Sequence, residues 1–273
     1  MDGRILVIGA RGGVGRHVVE QLVAAGRRVR GSVRKLAAGD SADVVVADLT
    51  KPDTLRGALD GVSAVFLYAP TEGAAGFVGA AKAAGVEHVV LLSSGSVLLP
   101  AAVGNLIAEE HRAVERELAE SGLRWTPIRP LVLANNALNW AGSVRDERVV
   151  RLVHADAVTA PVHERDIAAV AVAALLGGGE HVSELLTGPE LLSQERQVEL
   201  IGEAVGADVR IEELPPDQAR ARFGGSAAFD AVLEFIAAAR AGGSPATATA
   251  ERVLGRPPAS FAEWVDDHVD EFR

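Results

Sequence analysis

The sequence predicts an α/β fold, a doubly wound parallel sheet followed by a smaller mixed α/β C-terminal region. Short apolar runs alternate with helical patterns through the first half, as a parallel sheet covered on both faces requires. Several of those helical stretches stop at a glycine suited to capping a helix. A glycine cluster at Gly9, Gly12, Gly13 and Gly15 lies between the first apolar run and the first helical pattern.

Taken in order, residues 4–8 form the first strand, and a helix over 14–25 ends at Gly26. Strands follow at 28–33 and 44–47. Pro52 opens a helix over 52–59, where its missing N–H costs nothing, and Gly61 ends it. A strand at 64–67, a helix over 73–84 stopped by Gly85, and a strand at 88–92 come next. The helix over 108–121 ends at Gly122 and leads into a strand at 125–128. After Arg129-Pro130 the rhythm loosens into a long connection, 135–146. A helix over 164–176, a strand at 183–186, a helix over 194–204, a strand at 209–212 and helices over 229–239 and 261–272 make the second region. The stretch 241–250, rich in Gly, Ser, Pro, Ala and Thr, reads as a linker. Residues 1–133 are accordingly expected to form one domain and 134–273 a second region, with segments near 164–187 rejoining the first sheet.

Composition narrows the function classes. The chain has 273 residues, 48% apolar and 23% charged, which is ordinary globular usage. It contains no cysteine, which excludes disulfides, thiolate nucleophiles and Cys-based zinc sites, and fits a reducing cytoplasm. A formal net charge of −10 repels phosphate backbones and anionic lipid, so neither nucleic acid nor a membrane is an expected partner. A secretory signal pattern and a span of about 18 uninterrupted apolar residues are both lacking, and a cytoplasmic protein is expected. The seven histidines are scattered, and His154 and His163 lack the compact acidic cluster of a divalent site, so no metal is expected. No G-x-S-x-G turn is present for a hydrolase nucleophile.

The turn Gly9-Ala10-Arg11-Gly12-Gly13-Val14-Gly15 sits just after a strand and just before a helix. A tight turn there brings backbone N–H groups and a helix N-terminus against a pyrophosphate, which makes the first domain a Rossmann-type dinucleotide site. An NAD-preferring site places an acid about 20 residues farther on, at the ribose 2′-OH. Here the second strand ends Ser32-Val33-Arg34-Lys35, and Arg11 stands in the turn itself. These cations suit a 2′-phosphate, so NADP(H) is the expected cofactor; the alternative is that they are solvated surface charges.

The spacing G-x-x-G-x-x-G, with strings such as Gly61-Val62-Ser63-Ala64-Val65-Phe66, Ala84-Gly85-Val86-Glu87-His88-Val89-Val90, Ser121-Gly122-Leu123-Arg124-Trp125-Thr126-Pro127-Ile128-Arg129-Pro130, Asp166-Ile167-Ala168 and Leu186-Thr187-Gly188-Pro189-Glu190, resembles the atypical short-chain dehydrogenase/reductases. Within them it resembles the NmrA-like group that includes the type 2 NAD(P)H:quinone oxidoreductases. The resemblance implies that Asp48 contacts the adenine amino group, against a plain turn role, and that Leu49, Ala69, Pro70 and Ser94 also border the cofactor. It further implies that Tyr68, Pro70, Asn135 and Asn136 wall the nicotinamide pocket. Trp140 joins Asn135 and Asn136 as a candidate substrate contact, although it and Trp264 suit packing better.

Typical short-chain reductases use a Tyr-x-x-x-Lys pair to protonate the forming alkoxide. The single tyrosine here is Tyr68, and Glu72 stands four residues on, so the pair cannot form. By resemblance His111 occupies the lysine-like position, where it could orient substrate, hydrogen-bond the ribose or donate a proton; otherwise it is a solvated helix histidine. Ser93 and Ser94 end the fifth strand, at the edge where ligands of open sheets collect, or serve the turn there. The catalytic candidates are therefore His111, Ser93 and Tyr68. The reading is an NADPH-dependent reductase of a quinone or conjugated carbonyl compound. Its alternatives are a ketone or imine reductase, a non-redox cyclase or isomerase, and an NADP(H)-sensing regulator. The expected partner is a small-molecule substrate, with homodimerisation left open.

Overall fold

A computed structural model describes residues 3–70, 72–178 and 181–273. The first half runs β1 (Arg4–Val7), α1 (Gly13–Ala24), β2 (Val29–Val33), β3 (Val44–Val46), α2 (Asp53–Ala58), β4 (Val62–Tyr68), α3 (Ala74–Ala83), β5 (His88–Leu92), α4 (Leu106–Glu120) and β6 (Arg124–Pro130). After it come α5 (Ala141–Glu147), β7 (Val149–Leu152), β8 (Val158–Thr159), α6 (Glu164–Leu175), β9 (Leu185–Leu186), β10 (Leu192–Ser193), α7 (Gln194–Val205), β11 (Arg210–Glu213), α8 (Pro216–Phe223), α9 (Ala227–Arg240), α10 (Thr249–Leu254) and α11 (Phe261–His268).

Seven strands form one parallel sheet in the order β3-β2-β1-β4-β5-β6-β9. The order reverses between β1 and β4, and the crevice for a ligand opens at the C-terminal ends of those two strands. Two apolar layers cover the sheet. One joins Val7, Phe66, Val90 and Ile128 to Val14, Val18 and Leu22 of α1 and to Ile167 and Ala171 of α6. The other joins Leu6, Val65, Val89 and Leu91 to Leu55, Phe77 and Leu118. Residues 164–175 and 185–186 thus complete the sheet and its cover, although they follow the long connection in sequence. A third cluster, with Val144, Val150, Ile201, Phe261, Trp264 and Phe272, is the core of the C-terminal region.

Strands β7, β8 and β10 and helix α8 lie where the sequence reading named no element, and two stretches read as connections prove structured. The expected connection at 135–146 is structured: a 3₁₀ segment, Ala134–Trp140, runs directly into α5. The expected linker at 241–250 ends inside α10, and before it Thr247 is tied by its N–H to Thr187 Oγ1 at 2.8 Å and by its hydroxyl to the Leu185 carbonyl at 2.8 Å.

His88, the first residue of β5, is 2% exposed. Its Nδ1 accepts from Arg124 at 2.9 Å, so Nε2 carries the proton toward Thr126 Oγ1, also at 2.9 Å, and the ring is neutral. Burial, with the Arg124 charge beside it, pushes its pKa down to about 4. The unfolded chain takes up that proton near its ordinary value and the folded chain does not until about pH 4. Stability is therefore intact above that ordinary value and falls as pH drops toward about 4. His88→Gln should lose about 2 kcal/mol less than the unsubstituted protein between neutral and mildly acidic pH in urea unfolding. Equal losses would mean that another group governs the acid limb.

Candidate active site

After β1 the chain turns at Gly9, whose φ of +74° suits glycine. The Gly12 N–H closes the turn on the Gly9 carbonyl at 2.9 Å. Gly12 is also the N-cap of α1, with no side-chain capping bond and no acid in the first turn. The N–H groups and positive end of the helix are left for an anion. Its glycines leave no room for a side chain where the helix starts: a Cβ on Gly15 would run into the Gly9 carbonyl, and one on Gly13 would stand 2.8 Å from Asn135 Nδ2. Ala10 is pinned by its N–H to the Ser32 carbonyl at 3.0 Å, and Val14 points into the core. This cradle fits a nucleotide pyrophosphate.

On the adenosine side, Arg34 and Lys35 are exposed, and their side chains have no partner among the described residues. Arg11 is already engaged: it pairs with Asp40 and reaches the Lys35 carbonyl at 3.4 Å. Asp40 also accepts the Ala37 N–H at 2.7 Å, and these two contacts hold its carboxyl below the usual range. Sequence reasoning missed this acid because nothing local distinguishes it from a solvated loop aspartate. Asp48 Oδ1 accepts from the Thr50 N–H at 3.0 Å and hydroxyl at 2.7 Å, with Lys51 at 3.4 Å from Oδ2, so its carboxylate organises the turn into α2. Leu49 is buried in the core.

At the reactive end, Tyr68 closes β4 and is 40% exposed; a Cβ on Gly9 would stand 3.3 Å from its ring, which therefore lies over the glycine turn. Ala69 is fixed by its N–H to the Leu92 carbonyl at 3.0 Å, and Pro70 is buried beside it. Ser93 is 4% exposed and donates its hydroxyl proton to Glu115 Oε1 at 2.7 Å, while Arg129 grips Glu115 at 2.9 and 2.6 Å. Ser94 caps the 3₁₀ turn Gly95–Leu98, accepting from the Ser96 N–H at 3.2 Å. His111 lies in α4, one turn before Glu115, and its Nδ1 is buried with no partner among the described residues. Burial lowers its pKa, offset in part by Glu115 and Glu110, so the imidazole is neutral at neutral pH. Asn136 is exposed, and Trp140 packs against the C-terminal core.

A buried polar cluster lies behind the turn that no sequence signal marked. Glu164, fully buried at the start of α6, accepts from Trp264 Nε1 at 3.0 Å and from Arg16 at 3.3 Å, and lies 2.9 Å from His268 Nε2. Burial pushes the Glu164 carboxyl up, and the His163 and His268 rings beside it more than reverse that, so it is a carboxylate. Burial also pulls His268 down, but Glu164 and the Trp264 carbonyl outweigh it and raise its pKa. A glutamate in the first turn of a helix usually reads as a solvated cap, which is why the position drew no notice.

The family model described as NAD(P)H-binding matches residues 9–176. The chain is 37% identical, over 98% of its own length and 99% of the relative's, to a (4-alkanoyl-5-oxo-2,5-dihydrofuran-3-yl)methyl phosphate reductase of Streptomyces griseus. It is 30% identical, over 98% and 99%, to an NAD(P)H azoreductase of Xenophilus azovorans. In structure it resembles an NADPH-dependent quinone oxidoreductase of Escherichia coli solved with NADPH, at a TM-score of 0.79 and 25% identity, over 96% of this chain and 99% of that one.

Proposed function

The chain belongs to the NAD(P)H-binding family, as an NmrA-like member of the atypical short-chain dehydrogenase/reductases, and on that premise we propose that it reduces a conjugated carbonyl compound with NADPH. The observation that carries the reading is the character of the polar groups at the sheet edge. His111 is a neutral imidazole whose buried Nδ1 has no partner among the described residues, the Ser93 hydroxyl already donates its hydrogen bond to Glu115, and Tyr68 is followed four residues on by Glu72 where the pair would need lysine. Such a site suits a substrate whose hydride adduct is a stabilised anion and needs only a weak donor. NADPH, when bound, supplies the hydride. His111 then offers a hydrogen bond to the oxygen on which negative charge develops, and Tyr68 covers the turn.

An alkene conjugated to a carbonyl, as in the substrate that names the Streptomyces griseus relative, meets that requirement. In such a compound the alkene carbon that carries the methyl phosphate is β to both carbonyls, so hydride added there would leave charge spread over the ring carbonyl and the alkanoyl group. A quinone meets it equally through aromatisation, whereas a simple ketone gives a localised alkoxide. Arg34 and Lys35, exposed and unpaired among the described residues, support the preference for the 2′-phosphate.

The test follows oxidation of NADPH and of NADH against acylated butenolides, quinones, ketones, imines and an azo dye. Turnover of the butenolides or quinones with NADPH, at least about tenfold slower with NADH at low concentration, is the expected pattern. Tight NADPH binding with no turnover on any of them would replace this reading with a sensing role.

A further inference from the structure

The candidate cofactor turn is approached by a side chain from beyond the first domain, Asn135. This asparagine lies in the 3₁₀ segment after β6, and its Nδ2 is 2.8 Å from where a Cβ on Gly13 would stand, so the amide lies against the first turn of α1. Which way that amide faces is fixed by Trp264. The indole N–H is a donor only, and it lies 3.2 Å from Asn135 Oδ1; the flipped amide would set donor against donor. The same N–H donates to Glu164 Oε2 at 3.0 Å, which fixes the indole in turn. Trp264 is fully buried and stacked between Phe261, at 5.2 Å, and His268, at 4.5 Å. With Oδ1 engaged, the Asn135 NH2 is left beside the glycine turn without an acceptor among the described residues.

We propose that Glu164 and Trp264 are positioning residues that hold the Asn135 amide so that its NH2 hydrogen-bonds a phosphate oxygen of the bound cofactor, alongside the N–H groups of α1. The inference rests on the reading that the turn at residues 9–15 holds the pyrophosphate. It moves Asn135 from the substrate to the cofactor and makes α11 of the C-terminal region part of the phosphate site. The backbone donors of α1 are supplied by the first half of the chain; this side-chain donor is aimed by the second.

The test is a set of NADPH titrations with Asn135→Ala, Asn135→Asp, Trp264→Phe and the double variant Trp264→Phe/Asn135→Ala. Asn135→Ala should weaken NADPH about tenfold. Asn135→Asp keeps an acceptor for Trp264 but turns a carboxylate oxygen toward the phosphates, and should weaken it at least about tenfold further. Trp264→Phe keeps the stacked ring and removes the N–H, so NADPH should weaken by an amount that vanishes once Asn135 is already alanine. A purely structural role for Trp264 gives additive losses in the double variant and overturns the relay. Adenosine 2′-monophosphate, which lacks both phosphates of the pyrophosphate, should bind all four variants like the parent protein. Unchanged NADPH affinity in Asn135→Asp overturns the proposal, and that variant carries the test by itself if Trp264→Phe does not fold. An unsubstituted protein that binds no NADPH overturns the cofactor reading and this inference together.

Discussion

Gly15→Ala should lower NADPH affinity at least about 100-fold while leaving a folded protein. The added methyl would meet the Gly9 carbonyl oxygen, would lie 3.0 Å from its carbon, and would lie 3.4 Å from the Ala10 Cα. All three are backbone atoms, so no side chain can swing aside. Overpacking of this kind costs about 1–3 kcal/mol, and the turn relieves it by displacing the carbonyl that receives the Gly12 N–H. The donors of α1 then no longer converge on one point. Gly26→Ala is the matched control: it adds a methyl at a φ of +68° in open space, far from the cradle, and should cost stability alone. Calorimetric titration with NADPH, beside thermal unfolding of each variant, separates the two effects. Parent-like affinity in folded Gly15→Ala would mean that the phosphates bind elsewhere.

The second large effect is expected at His111. His111→Ala should lower kcat on the true substrate by at least about tenfold, toward the 10² to 10⁴ typical of a positioned donor, with NADPH affinity unchanged. His111 sits on the face of α4 that Glu115 also occupies, and Glu115 is held by Ser93 and Arg129. That fixed carboxylate keeps the helix face in register with the end of β5 and partly offsets the burial that lowers the His111 pKa. The neutral imidazole therefore persists below neutral pH, and kcat should stay level as pH falls from about 8 to about 7 wherever this group governs it. His111→Gln retains an N–H donor and should recover part of the lost rate. An unchanged kcat in His111→Ala would take the residue out of the reaction.

The parallel sheet was legible because its central strands β1, β4 and β5 are buried on both faces and so appear as nearly continuous apolar runs, as Val89–Leu91 does within β5, while Gly26, Gly61, Gly85 and Gly122 mark the helix ends with φ between +66° and +77°. The short pair β8 and β10 has two residues in each strand, too few for any period to appear. Likewise α5 begins behind an asparagine-rich 3₁₀ segment whose pattern is that of a loop. In the candidate site, the glycine spacing and the cations at 34 and 35 could be read directly, since each acts through its own local geometry. The partners that alter those groups could not. Asp40 beside Arg11, Glu115 beneath Ser93, and Trp264 against Asn135 lie 29, 22 and 129 residues away in the chain. Only folding brings such pairs together, and a charged residue reads as solvated until its partner is known.

The late arrival of α6 and β9 bears on how the chain is made. A ribosome releases the N-terminus first, so β1 to β6 and the apolar strip of α1 formed by Val14, Val18 and Leu22 emerge well before residues 164–175 that cover that strip. Through that interval the strip faces water, and the outer edge of β6 still lacks its neighbour. An open apolar strip and an unpaired strand edge are the features that make an incomplete chain prone to association, and here they coexist with an already synthesised glycine turn. The candidate anion cradle is closed in only once residue 186 has emerged, when one later helix and a two-residue strand complete the unit around it.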